Sequence, residues 1–559
     1  MQNVVADSFY QGQVTFTCFS QTTRERLPLA QCNEALGSVD AARKHYDAAL
    51  AASPQNSGVV RAVAEFHLRR RENSKAQEQL RKLIDPKFST TNQQRQWARR
   101  QLAGLLSNNS RRLTPEVLEL LDQNLAEGNN SLDQLQKARV LANGRLNSHH
   151  LSAVKILQPL SDAGELSPQD EMLLCVLYDS LGRDIAADQR WNALIGSHAD
   201  RPRIVAAYAR RLISQGRPGK AAPWLSRLEA LAPDSFDVID LALRIDLSAR
   251  KLDEGITRLR KWVASDDDAI RARRLAQAAP SLSRLLSQSS SKSTSDEVRQ
   301  QLAAETERLF REWMVGHPPA ALKFAEFLGA DERVDEALAV LEQVQSPRNA
   351  IRERVRKSIN SAAVLATALS ILRRVEPTEL QFESVQRLAE SALRQNPNAP
   401  AMWMQLAALR DLQGRFDESA EYYRRVLETD ENHLLALNNL ARLLAVDKGD
   451  QAAAQRMIQR ALDVGGRQPW LLDTQAAVLM AGDQHEQARK ILEEAISEQR
   501  IPVRNFYLAQ AYHGAGNTAA AKTRLQSAQQ LGLREIDLHP LERPRYRKLT
   551  QAVGLEPNL

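Results

Sequence analysis

A small side chain returns at nearly constant intervals along this chain, and that rhythm restricts the fold more than any other feature of the sequence. Ala407, Ala441, Ala476 and Ala509 are separated by 34, 35 and 33 residues. Cys175, Ala209 and Leu243 stand 34 apart, and each precedes a second small residue, Ala187, Ala221 or Gly255, by 12 positions. The pairs Ala30/Ala42, Ala64/Ala76 and Ala325/Ala337 are further copies of that spacing. A period in the range of roughly 20–50 residues marks a stacked repeat architecture. Ala, Leu, Arg, Gln and Glu dominate the composition, while aromatics make up 5%. Those residues lose little on entering a helix, so the repeated unit reads as a pair of helices.

The spacing has a mechanical cause. Two helices that cross closely need a small side chain from each at the crossing, and larger apolar residues on the adjacent turns fill the space beside it. The turn between the helices needs a break, supplied by Gly37, Gly182, Gly216, Gly414, Gly449 and Gly516. Pro54, Pro233 and Pro397 follow second helices and stop them, because proline lacks the amide hydrogen and clashes with the preceding turn. One hairpin cannot bury its apolar stripe alone, so neighbours must stack.

Trp403, Leu406, Ala407 and Tyr423, and again Leu508, Ala509, Tyr512, Ala521 and Ala528, fall at the positions of a known helix–turn–helix signature. The chain therefore resembles the tetratricopeptide repeat family. The match is clear over 167–262 and 400–533, fair over 23–86 and 318–345, and degenerate elsewhere. The resemblance implies an all-α chain, a TPR-type α-solenoid in which helix–turn–helix repeats form a right-handed superhelix, here in two arrays. Residues 1–22 form an irregular N-terminal segment in which Val14, Phe16 and Cys18 alternate like a strand. The first array covers 23–286, and 287–295 is a serine-rich loop whose end, Thr294 or Asp296, caps the next helix. The second array covers 296–535 and includes an irregular stretch from Ser346 before a basic helix, Ala350–Lys357. Residues 536–559 make a C-terminal capping helix and tail, with Leu541 and Leu549 inward and the arginines outward.

Several chemistries find no support in the pattern. The net charge is +7, with 75 basic groups against 68 acidic ones. That is a mixed, solvated surface, not the concentrated basic stripe of a nucleic-acid binder. The densest basic stretch, 61–112, lacks interleaved aromatics. Three cysteines, Cys18, Cys32 and Cys175, form no CxxC pair and cannot make a disulfide framework, which points to a reducing compartment. The ten histidines show no metal-ligand spacing, and His149-His150 reads as a solvated loop pair. No phosphate-cradling glycine loop and no nucleophile elbow is present. Acidic pairs at Asp253-Glu254, Asp335-Glu336 and Asp417-Glu418 recur at the starts of second helices, where they complement the helix dipole. Cys175 occupies a packing position and reads as a buried thiol.

The remaining surface that can carry function is the concave groove. The resemblance places first-helix positions two, five, nine, twelve and thirteen on that face. Position nine is Arg210, Arg244 and Arg442 in the clear repeats, and Asn438 and Asn439 lie beside it in one of them. Arginines in a row suit an acidic or C-terminal peptide. The Lys/Asn clamp by which family members hold chaperone C-termini is represented only by Asn439, among Met404, Ala408, Asn439, Trp470 and Thr474. The asparagine ladder of another branch is replaced by Gln405, Asn439, Thr474 and Tyr507. The sequence thus predicts a non-catalytic scaffold for protein segments, without cofactor, metal or membrane span, and a cytoplasmic location. The alternatives are an RNA-binding helical repeat, and the regulatory array of a larger enzyme or secretion complex, with a natural start upstream of Met1.

Overall fold

The structure, a computed structural model, describes residues 23–109, 114–128, 130–144, 146–288, 295–345, 359–395 and 399–558. Among these residues every regular element is a helix and no strand occurs. The alternating segment at Val14–Cys18, the basic helix Ala350–Lys357 and Pro397 lie outside the described residues.

Consecutive helices pair as hairpins. The run from Pro400 shows the unit plainly: Pro400–Leu412 with Phe416–Thr429, Leu434–Val446 with Gln451–Gly465, Pro469–Ala481 with His485–Glu498, and Pro502–Gly514 with Thr518–Gln530. An earlier run has the same form: Pro168–Ser180 with Asp184–Ser197, Pro202–Ser214 with Pro218–Leu231, and Phe236–Ser248 with Leu252–Val263. Prolines also begin first helices, at Pro168, Pro202, Pro400, Pro469 and Pro502. At a helix start the missing amide hydrogen costs nothing and the fixed φ suits the helix. The acidic pairs do sit in the first turns of Leu252–Val263, Val334–Gln345 and Phe416–Thr429.

The small residues meet where the register predicts. Ala407, Ala441, Ala476 and Ala509 are wholly buried, as are Ser419, Ala454, Ala488 and Ala521 across from them. One repeat exchanges the two sizes. Leu243 stands where its neighbours have alanine or cysteine, and the facing position is Gly255. A Cβ on Gly255 would lie 2.8 Å from Cδ1 of Leu243. The missing Cβ at 255 leaves the room that the larger Leu243 side chain fills at the crossing.

In the two runs above, each hairpin turn places one residue in the left-handed region. Gly414 (φ 71°) and Gly516 (φ 81°) do so without strain. Arg71, Arg250, Glu332 and Asp483 adopt the same conformation with φ of 58–61° although each carries a Cβ. In the repeat at 469–498 the left-handed residue is Asp483, not the adjacent Gly482.

By internal packing the chain divides between Leu166 and Ser167. The serine-rich stretch, where the sequence places its division, lies inside the second unit, between Asp268–Gln288 and Asp296–Gly316. Both are 21-residue helices, and Ser287 and Gln288 belong to the first. Ser295, not Thr294 or Asp296, caps the second, accepting from the Val298 amide at 3.4 Å. His149 and His150 lie on the first turn of Asn147–Asp162, not in a loop, and the His150 ring meets the Gly144 carbonyl at 2.7 Å.

A candidate binding groove in the second unit

Arg210, Arg244 and Arg442 each occupy the ninth residue of a 13-residue first helix. Their surroundings differ. Arg210 is exposed and pairs with Asp237. Arg244 pairs with Asp240 at 3.0 Å and donates to Gln288 at 3.2 Å. Arg442 is half-buried and donates to the Thr474 hydroxyl at 3.2 Å.

Around Arg442 the first helices of successive hairpins assemble a polar floor. Asn439 donates to the Tyr423 hydroxyl at 2.9 Å, and that hydroxyl donates to Asp411 at 2.8 Å. Asn438 is buried and donates to the Asn439 side-chain oxygen at 3.1 Å. Burial, with the negative charge of Asp411, pushes the Tyr423 phenol well above its ordinary pKa. Burial does the same for Tyr507, while Arg442 beside it acts in the other direction. Deeper in the same repeats, Arg504 and Asp473 form a buried ion pair at 2.8 Å. Burial raises the Asp473 carboxyl, and Arg504 offsets part of that rise. The Arg504 guanidinium also donates to the backbone carbonyl of Gln499. So of the residues singled out in the sequence, Asn438, Asn439 and Arg442 come together, whereas Arg210 and Arg244 sit in other repeats with acids of their own.

A set the sequence reading does not single out repeats through the fold. Glu34, Asp179 and Asp411 each stand twelfth in their first helix, and each accepts from an aromatic side chain 12 residues later: Tyr46 at 2.9 Å, Trp191 at 2.8 Å and Tyr423 at 2.8 Å. The following repeat adds a third group, Arg69 on Glu34, Arg211 on Asp179 and Asn439 on Tyr423. The signal was available, because acid and aromatic share the spacing of the small residues.

The C-terminal segment departs from a simple cap. Helix Arg543–Ala552 does cover the last repeat, with Tyr546 and Leu549 buried against a cluster containing Ala509 and Ala521. The residues before it, however, run back over the first-helix face. Leu541 packs on the buried cluster that contains Ala407, Leu437, Leu440 and Ala441, about a hundred residues earlier in the chain. The His539 ring lies 6.3 Å from that of Phe416, and its Nε2 is 3.7 Å from Asp411. Glu542 is buried and its charge acts on Arg442. Of the arginines predicted outward, Arg547 is exposed and meets Glu535 at 2.5 Å, while Arg543 turns back to the carbonyls of Ile536 and Leu538. Between this segment and the repeats lies a cavity of about 260 Å³, to which Arg373, Asp411, Asn439, Arg442, His539 and Arg543 contribute.

What these groups offer chemically is charge and hydrogen bonding. The Cys175 thiol is wholly buried and pushed up to about 12 by that burial, so it is no nucleophile at neutral pH. Among the described residues no cluster of three or more His, Cys, Asp or Glu is placed to hold a metal ion. Nor is any described helix long and apolar enough to cross a membrane.

Comparison with known proteins gives a family and a set of similar structures. The profile of the tetratricopeptide repeat family matches residues 26–57 and 382–433. No curated protein matches the chain. Among solved structures, yeast Tom70 is similar with a TM-score of 0.37 and 14% identity, covering 90% of this chain and 96% of that one. A tetratricopeptide repeat protein from Parabacteroides merdae is similar with a TM-score of 0.34 and 13% identity, over 48% of this chain and 99% of its own. One from Thermus thermophilus gives 0.28 and 19%, over 34% and 97%. With one profile match in each unit and the buried small-residue register between its paired helices, the chain carries tetratricopeptide repeats in both units.

Proposed function

We propose that the chain is a protein-interaction scaffold whose first-helix face in the second unit holds segments of partner proteins. One observation carries this reading: Asp411, Asn439, Arg442, Thr474 and Tyr507, from four consecutive first helices, turn polar groups to one face beside a cavity. Groups of both signs and neutral donors converge there, which suits the backbone and mixed side chains of a peptide better than a single small ion. Arg210 and Arg244 offer a second, more exposed part of the same register. Because each is held by an acid of its own, a partner must compete with Asp237 and Asp240 for them.

The test is capture of partners by the full chain carrying Arg210→Glu and Arg244→Glu together. The exposed Arg210–Asp237 pair contributes little, about 1 kcal/mol at most, whereas Asp240 is buried beside Arg244 and loses its partner in the variant, so the melting transition is measured alongside capture. Loss of acidic partner segments from the captured set, with an intact melting transition, is the expected result. A captured set identical to that of the parent chain removes these arginines from the binding face.

A further inference from the structure

The face described above already has an occupant, and that occupant states what fits. Residues 538–542, Leu-His-Pro-Leu-Glu, cross it in a non-repeat conformation between the short 3₁₀ turn Glu535–Asp537 and the helix Arg543–Ala552. Leu538 is 3% exposed and belongs to the cluster of the last two repeats. Leu541 rests on a cluster drawn from the three repeats between Pro400 and Glu498. The His539 ring lies 6.3 Å from that of Phe416 with its Nε2 3.7 Å from Asp411, and Glu542 is buried with its charge acting on Arg442.

We infer that residues 538–542 are a ligand held in cis, and that the partner segment taken in trans has the same chemistry: two leucine-like side chains three residues apart, a proline between them, and a carboxylate directly after. This deepens the scaffold reading and rests on it. Three features support it. The contacts of His539, with Phe416 and Asp411, reach a repeat far from the segment's own neighbours, which a cap for the final hairpin does not require. The segment is tied down on both sides without them: Asn558 donates to the Leu533 carbonyl at 3.1 Å, and Tyr546 and Leu549 hold the following helix. It can therefore leave the face while its flanks stay folded. Finally, Glu542 is 1% exposed, and its charge, with those of Asp411 and Asp473, favours the charged form of Arg442.

A tethered segment competes at high effective concentration, and a site that is open only part of the time binds more weakly in proportion. The experiment uses a labelled peptide with the sequence of residues 533–543 and the full-length chain. In the parent chain the face is filled and the peptide should bind weakly. In the chain carrying Leu541→Asp and Glu542→Arg it should bind at least about tenfold more tightly, since the open fraction rises toward one. A peptide bearing the same two changes should bind neither chain. Equal affinity for both chains, or no binding to the released chain with its helix content intact, overturns the inference. A second measurement avoids the variant altogether: millimolar peptide added to the parent chain should accelerate hydrogen exchange at the amides of Leu538, His539, Leu541 and Glu542, and unchanged exchange there at saturation would likewise overturn it. If these results fail while Arg210→Glu with Arg244→Glu still alters partner capture, the scaffold reading stands and only the cis ligand is lost.

Discussion

The repeats at 168–263 and those at 400–530 share a register but not a condition. In both, small residues meet at the helix crossings and an arginine takes the ninth place of a first helix. In the earlier stretch that arginine is satisfied by a nearby acid of the repeats themselves, Asp237 or Asp240. In the later one no acid pairs with it directly: it donates to Thr474, and it feels the charges of Asp411 and Asp473 from the repeats and of Glu542 from the C-terminal segment. The difference teaches that register alone does not define a binding face. What matters is whether the polar groups of the face are satisfied within the repeats or left for a segment from elsewhere.

The contrast can be tested where the later stretch is most buried. Asp473→Ala leaves Arg504 charged and enclosed, so it should destabilise that stretch by about 3–5 kcal/mol. Chemical denaturation would read this as a lower midpoint, and the equivalent removal of Asp237 should move it far less, by at most about 1 kcal/mol. Similar losses at the two sites would erase the distinction between them. Next in size, Ala441→Arg forces a long side chain into a closed crossing and should cost about 1–3 kcal/mol or somewhat more. A thermal melt indistinguishable from that of the parent would contradict the register in the later repeats. The smallest effect concerns the turns, one in each stretch. Asp483→Gly and Arg250→Gly relieve a left-handed residue that carries a Cβ. The relief of about 1–2 kcal/mol is offset in part by the greater freedom of glycine in the unfolded chain, leaving a gain of about 0.5–1 kcal/mol at each. If either glycine variant melts lower than its parent, that turn has a tertiary contact beyond its backbone shape.

The sequence exposes those parts of the fold that depend on local repetition. Ala407, Ala441, Ala476 and Ala509 declare the crossings because close packing demands a small volume once per unit, and the demand recurs with the unit. The acids at 34, 179 and 411 follow the same logic and are found once their aromatic partners 12 residues on are sought. Asn439 and Arg442 are legible as groove positions, but the segment that runs over that face is not, because His539, Leu541 and Glu542 lie about a hundred residues away and belong to no period. The left-handed turns at Arg71, Arg250, Glu332 and Asp483 are also invisible, since nothing in an arginine or a glutamate announces a positive φ. Ser295 as the cap, in place of its two neighbours, turns on a one-residue shift in where the helix begins, a margin that composition does not resolve.

The exchange of sizes between Leu243 and Gly255 bears on how such a chain can be altered. Neither residue is interchangeable with its counterpart in the next repeat unless the other moves with it, since a methyl added at 255 collides with the leucine and an alanine at 243 opens a void against the glycine. The smallest piece that can be transplanted or duplicated without damage is thus the whole hairpin, and a recombination point placed in the turn at Arg250 would join halves that do not match.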